Sequence, residues 1–187
     1  MRRPVWGRSR PLRGIAGTVV ALAAIAVVAV LAAWLEPGAK PLGGHPDVVD
    51  GDTLRFGPTR VRLTGIDAPE LDQVCTDASG QDYACGIRAR MFVADLIGGQ
   101  ETSCSRSGRD RYGRVLAACS AGGRDLGKAI AEAGWAVAEL DYAFAALAAR
   151  SARRGIWQGP FEDPAHWRRD HGASQPGLWD WIRSLFQ

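Results

Sequence analysis

The stretch Val49-Asp50-Gly51-Asp52-Thr53-Leu54-Arg55-Phe56-Gly57-Pro58-Thr59-Arg60-Val61-Arg62-Leu63-Thr64-Gly65-Ile66-Asp67-Ala68-Pro69-Glu70 decides how this chain is read. Leu54 and Phe56 alternate with polar residues before Gly57-Pro58, and Val61 and Leu63 do so after it. The segment therefore reads as two half-buried strands joined by a turn. Acidic residues gather at the outer ends of the pair, which makes Asp52, Asp67 and Glu70 candidates to converge. Arg62 lies between them and carries a planar, permanently charged fork suited to phosphate. Taken singly, these residues have plainer roles: Asp50-Gly51 as a turn pair, Asp67 as a turn opener before Ala68-Pro69, Arg62 as a solvated strand residue. The joint pattern points to metal-assisted phosphoryl chemistry.

Downstream, Ile87, Met91, Ala94 and Ile97 recur at helical spacing within Gly86 to Ile97, and Gly98-Gly99 stops the helix. Arg109 to Arg114 reads as the turn of a hairpin with arms Glu101 to Ser105 and Val115 to Cys119. Its tip, with Arg111, Tyr112 and Arg114, either adds guanidinium groups to a site or is a solvated hairpin end. Asp125 caps a second helix through Ala133, ended by Gly134. A third helix spans Tyr142 to Arg154, with Phe144, Leu147 and Ala148 on one side. Trp157, Phe161 and Trp167 follow in a proline-containing tail packed back on the core. Few strands, with helices set to one side, suggest an α+β fold built on a small closed barrel with a polar mouth.

Five arginines (Arg2, Arg3, Arg8, Arg10, Arg13) precede the first acidic residue, Glu36; without them the formal charge of +3 becomes −2. Nucleic-acid affinity must then come from local arginine clusters or a bound cation, because no domain-wide positive field exists. Ile15 to Leu35 is continuously apolar or small, long enough for a helix to cross a hydrocarbon core. The expected organisation is a cytoplasmic basic tail (1–14), a single-pass membrane anchor (15–35), a Pro/Gly-rich linker (36–46), a globular domain (47–168) and a C-terminal tail (169–187). Positive residues stay on the cytoplasmic side, so the domain is expected outside the cytoplasm, held at the cell membrane. A cleaved signal peptide is the competing reading of the first segment.

Four cysteines, Cys75, Cys85, Cys104 and Cys119, lack the paired spacing of a zinc site. In an oxidising compartment an even count points to disulfides. Pairing outward from the hairpin turn brings Cys104 to Cys119 and leaves Cys75 with Cys85, each bridge worth about 3 kcal/mol by loop entropy. Reduced, buried Cys104 and Cys119 are the alternative. At the C-terminus Leu178, Trp181, Ile182, Leu185 and Phe186 form one helical stripe, expected either to pack on the domain or to lie in a membrane interface.

The chain resembles the thermonuclease family, the homologues of staphylococcal nuclease. The resemblance rests on Val49-Asp50-Gly51-Asp52-Thr53, on Arg62-Leu63-Thr64-Gly65-Ile66-Asp67-Ala68-Pro69-Glu70 and on Asp110-Arg111-Tyr112-Gly113-Arg114-Val115-Leu116-Ala117. It continues through Gly134-Trp135-Ala136 to Gly155-Ile156-Trp157. It implies an OB-fold five-stranded barrel with three helices and a calcium-dependent phosphodiesterase that cuts DNA and RNA, leaving 3′-phosphate ends. Asp52 and Asp67, with the carbonyl of Ala68, match the calcium ligands; Glu70 matches the residue that positions or deprotonates the attacking water. Arg62 and Arg114 match the arginines on the scissile phosphate, and Arg111 and Tyr112 are expected to bind substrate. Where the family usually carries pocket tyrosines, this chain reads Val137-Ala138-Glu139-Leu140-Asp141-Tyr142 and is shortened before the last helix. The alternative class is a membrane-tethered OB module that binds nucleic acid without cutting it. No protein partner is implied, and a monomer is expected.

Overall fold

A computed structural model describes residues 17, 18, 20–28 and 42–171. The chain divides into two units, Met1–Lys40 and Pro41–Gln187. In the first, residues 20–28 are helical. Among the described residues no helix is long and apolar enough to cross a membrane. The basic tail 1–14, the remainder of the 15–35 segment and the stripe at 178–187 lie outside the described residues.

The second unit is organised around the hairpin of β3 (Thr53–Phe56) and β4 (Thr59–Leu63), in which Thr53 faces Arg62 and Leu54 faces Val61. Gly57 turns the chain with φ of 56°, a conformation that costs other residues a Cβ clash. Parallel pairing joins β4 to β9 (Val115–Ala121), with Arg62 opposite Leu116. β9 in turn pairs antiparallel with β8 (Thr102–Arg109), and a bulge lies between Arg106 and Gly108. β1 (Leu42–Gly44) adds to β8, β2 (Asp47–Val48) to β3, and β10 (Arg124–Asp125) to β9. The seven-stranded sheet, in order β1-β8-β9-β4-β3-β2 with β10 off β9, curls so that β1 comes beside β3. β5 (Ile66–Asp67) pairs separately with β11 (Val137–Ala138), and β6 (Cys75–Thr76) with β7 (Asp82–Tyr83).

Leu54, Val61, Leu63, Val115 and Ala117 point inward and meet Val93, Ile97, Leu126 and Ile130 from the helices, as strand alternation predicts. Both expected disulfides are present, Cys75 to Cys85 and Cys104 to Cys119. The second is a cross-strand bridge between directly opposed residues of β8 and β9.

The α+β class holds, but the element counts differ from expectation. The main sheet has seven strands instead of five, and this unit has four α-helices among its described residues instead of three. Leu42–Gly44, expected in the linker, is a strand: it pairs with the otherwise open edge of β8, and Leu42 packs against the core. α1 (Cys85–Ile97) is rotated from its expected face; Ile87 and Met91 are 48% and 59% exposed, while Gly86, Ala89 and Val93 are buried. Close approach explains the rotation, since a Cβ at Gly86 would run into the Glu70 carbonyl and one at Gly51 would come within 3.0 Å of the Ala89 Cβ on this helix. α2 (Leu126–Ala133) keeps its expected caps: Asp125 accepts from the Lys128 N–H, and Gly134 ends it in the left-handed region. α3 (Ala143–Ser151) is shorter than expected and buries Ala146 and Ala149, leaving Phe144 89% exposed. Small residues again win the buried face.

The expected tail contains a further helix, α4 (Pro164–Asp170), which crosses the boundary placed at 168. Asp163 caps it by accepting from the Ala165 N–H, and Pro164 occupies its first turn, where no N–H is needed. Before it, Trp157 and Phe161 meet edge to face, with ring centroids 5.0 Å apart, beside the Cys75 to Cys85 bridge and Ile156.

Candidate active site

The hairpin register sets the first half of the site. Asp52 sits just before β3, and its own backbone N–H donates to Asp50 Oδ1 at 3.0 Å, so the approach turn is fixed. Its carboxylate is 3% exposed at the residue level and accepts from Thr53 Oγ1 (3.0 Å), the Ala68 N–H (3.2 Å) and Arg62 Nη1 (3.0 Å to Oδ1, 2.9 Å to Oδ2). Arg62 lies on the face of β4 opposite Val61 and Leu63, and its second nitrogen donates to Asp67 Oδ1 at 2.6 Å. One guanidinium therefore bridges two carboxylates that are fifteen positions apart in sequence. Asp67 is held there by the pairing of β5 with β11, in which it faces Val137.

The second half is assembled around Glu70. The Glu70 N–H donates to Gln73 Oε1 at 3.2 Å, while Gln73 Nε2 donates to the Glu162 carbonyl at 2.6 Å; Gln73 itself is fully buried. This amide ties the Glu70 loop to the segment that leads into α4. From α4, Arg168 donates to both Asp67 oxygens (Nη1 2.8 Å, Nη2 2.7 Å) and to Glu70 Oε1 (2.9 Å). Asp52, Asp67 and Glu70 thus share a network held by two guanidinium groups.

Across from it, the hairpin tip is rigid for a local reason. Asp110 Oδ1 accepts from the N–H groups of Tyr112 and Arg114 (both 2.9 Å), and Asp110 Oδ2 accepts from Arg114 Nε at 2.7 Å. Arg111 donates to the Tyr112 hydroxyl at 2.7 Å, and its guanidinium carbon stands 4.8 Å from that ring's centroid. An open cleft of about 590 Å³ runs between these elements, lined by Arg62, Arg111, Tyr112, Arg114, Arg168 and Arg169 among others. A contiguous cleft of about 560 Å³, sharing Arg111, Tyr112, Arg114 and Arg168 with it, adds Arg60 and Glu70.

The electrostatics follow from burial set against this pairing. Burial pushes the Asp52 carboxyl up to about 7, against the pull of Arg62 and the Ala68 N–H. At Asp67 burial works in the same direction, but hydrogen bonds from Arg168 and Arg62 outweigh it and hold the carboxyl below its usual range. Hydrogen bonding to Asp67 is the main reason Arg168 binds its proton more firmly than a free guanidinium. Arg62 shifts the same way, its burial outweighed by Asp52 and Asp67.

Every residue expected at the site lies in this region. Arg62, Glu70, Arg111, Tyr112 and Arg114 line the clefts, with Asp52, Asp67 and Ala68 behind them. Arg168 and Gln73 were not anticipated. A signal for the helix that carries Arg168 was present in Asp163-Pro164, an N-cap followed by an N1 proline, but nothing local ties that helix to Asp67. Tyr142, the tyrosine left in the shortened segment, turns inward: its hydroxyl donates to Asp125 (2.9 and 3.1 Å) and its ring covers Gly65 and Gly127.

The donor chemistry fits a hard divalent cation in part. Asp52 and Asp67 offer carboxylate oxygens, the donors calcium prefers, and in this structure Arg62 holds both carboxylates together. Among the described residues no three His, Cys, Asp or Glu side chains are grouped closely enough to hold a metal by themselves. Calcium takes about six to eight oxygens, so water and substrate oxygens would have to complete the set.

Residues 60–159 match the family described as Staphylococcal nuclease homologue. The chain is 39% identical over 160 residues to the succinoglycan biosynthesis protein ExoI of Rhizobium meliloti (strain 1021), covering 81% of this chain and 84% of that protein. It is 34% identical over 173 residues to the micrococcal nuclease of Shigella flexneri, covering 81% and 94%. With an uncharacterized endonuclease of Haemophilus influenzae it shares 30% identity over 135 residues, covering 65% and 70%. The matched segment contains Arg62, Glu70 and Arg114, which line the clefts, and Asp67 behind them. The chain belongs to the staphylococcal nuclease homologue family and, as a member of it, is a phosphodiester-cleaving hydrolase of the nuclease type.

Proposed function

We propose that this protein is a calcium-dependent nuclease that cuts DNA and RNA on the extracytoplasmic side of the membrane to which residues 15–35 tether it. The observation that carries the reading is the network in which Arg62 bridges Asp52 and Asp67 while Glu70 stands beside Asp67, at the wall of a cleft that also holds Arg114. Asp52, Asp67 and the Ala68 carbonyl would hold calcium, which supplies charge neutralisation at the phosphate. Glu70 orients a water molecule and accepts its proton as the water oxygen attacks phosphorus. Arg62 and Arg114 reach the phosphate oxygens, which gain negative charge as the fifth bond to phosphorus forms and before the ester oxygen leaves. Arg111 and Tyr112 bind the neighbouring nucleotide at the cleft rim. Five arginines before an apolar segment, and two disulfides in the domain, support the extracytoplasmic placement.

The test is to incubate the purified full-length protein with single- and double-stranded DNA and with RNA, in calcium or in chelator. Cleavage of all three polymers in calcium and none in chelator is the expected result. Full activity in excess chelator would remove the metal from the reading, and binding without cleavage in calcium would leave a nucleic-acid-binding module.

A further inference from the structure

Arg168 lies beyond residues 60–159, the segment that matches the family, yet it makes three hydrogen bonds to the candidate site carboxylates. It spans Asp67 and Glu70, touching both oxygens of the first and one of the second. Its helix is fastened to the same loop that carries Glu70. Gln73 donates to the Glu162 carbonyl, Trp167 Nε1 donates to Asp72 Oδ1 at 3.3 Å, and Pro164 is buried. The guanidinium is therefore delivered to a fixed place, although its side chain remains 37% exposed and borders both clefts.

A guanidinium fork matches a carboxylate and a phosphate equally well. It cannot share carboxylate oxygens with a divalent cation without strong like-charge repulsion. The geometry points to Arg168 as a third phosphate-binding guanidinium of the site, resting on Asp67 and Glu70 when the cleft is empty and moving to a substrate phosphate when those carboxylates are released. This rests on the calcium-dependent reading above and adds a linkage to it. Without substrate, Arg168 competes with the cation for Asp67. With a phosphate in the cleft, Arg168 has a second anionic partner, so its release from Asp67 and Glu70 costs less. Cation and phosphate then favour each other's binding, as reciprocal coupling requires. Arg62 contacts the candidate ligands Asp52 and Asp67 and competes with the cation in the same way; the two arginines differ in exposure, 17% for Arg62 against 37% for Arg168.

The experiment is calorimetric titration of calcium into the full-length protein, with and without a nucleoside monophosphate, which offers a phosphate but no diester to cut. The wild type should bind calcium more tightly when the mononucleotide is present. Arg168→Gln should bind calcium alone more tightly than the wild type, by on the order of tenfold, and should lose most of the mononucleotide-induced gain. If Arg168→Gln does not fold, Arg168→Lys, which keeps the charge but not the fork, should show the lost gain. A wild type that binds calcium beside a variant with the same or weaker affinity for calcium alone would overturn the role of Arg168 and leave the calcium reading standing. A wild type that binds no calcium even with mononucleotide would overturn both.

Discussion

The strand-borne half of the site is built into the core, whereas the rim that faces it is built from a turn and a short helix. Asp52 is 3% exposed, and every hydrogen bond to its carboxylate comes from a neighbour fixed by β3, β4 or the β5 loop. Arg114, which serves the same cleft, is held from within its own turn, by Asp110 four residues away and by the Tyr112 ring, whose centroid is 5.7 Å from its guanidinium carbon. Charge in the first region is therefore part of what holds the domain together. In the second it is available to a ligand at little cost to the fold. Function and stability should separate at the rim and fail together in the core.

Asp52→Ala is the strongest test of that difference. It leaves the Arg62 guanidinium with Asp67 as its remaining strand-side partner, and breaking a buried pair costs about 3–5 kcal/mol. Burial already opposes the Asp52 charge enough to push its pKa to about 7, which argues for the lower end, about 3 kcal/mol. Denaturant unfolding measures it, and nuclease activity should vanish in parallel. A stability loss below about 1 kcal/mol would mean the core half is no more structural than the rim. Arg62→Lys keeps the charge but loses the fork across Asp52 and Asp67, so turnover should fall by orders of magnitude with a measurable loss of stability. Arg114→Lys should lower turnover comparably while leaving the unfolding midpoint nearly unchanged, because its one ion pair, though partly buried, closes a local turn and joins no other elements. If Arg114→Lys destabilises as much as Arg62→Lys, the two regions do not differ in the way proposed. If its Michaelis constant alone rises, Arg114 binds substrate without stabilising the transition state.

The same division governs what could be read from the sequence. Asp52, Arg62, Asp67 and Glu70 fall within one hairpin and the loop after it, so strand alternation and turn chemistry placed them. The disulfide Cys104 to Cys119 was readable because hairpin pairing is a matter of counting outward from a turn. Arg168 was not, since it meets Glu70 across a sequence separation of 98 through a helix whose position depends on Gln73 and Trp167. The helix faces failed for a different reason. Hydrophobic spacing put Ile87 and Met91 inside α1 and Phe144 and Leu147 inside α3, but close approach places Gly86 and Ala89 on the buried face of α1 beside Val93 and Ile97, and α3 buries Ala146 and Ala149. Periodicity counts apolar area and is blind to the distance of approach.

Tyr142 lies behind the core half, and its effect should be the smallest and affect stability alone. Its ring fills space that Gly65 and Gly127 leave open; a Cβ at either position would meet it at 2.9 or 2.7 Å. Its hydroxyl donates to Asp125, the residue that caps α2. Tyr142→Phe keeps the ring and removes that hydrogen bond, so it should cost about 1 kcal/mol, in line with a partly exposed bond to a carboxylate. The pH dependence identifies the cause. Burial, helped by the bond to Asp125, pushes the phenol up to about 12 from its ordinary 10. A group whose pKa is higher in the folded state contributes stability in full below its unfolded value and loses it as pH climbs toward the folded one. The stability difference between wild type and Tyr142→Phe should thus be constant at neutral pH and shrink between about pH 10 and 12, as unfolding curves at a series of pH values would report. A difference that persists unchanged to pH 12 would mean that folding does not raise the phenol's pKa and that the bond to Asp125 is not the source of the effect, and a loss of nuclease activity in the variant at neutral pH would place Tyr142 on the substrate side of the site after all.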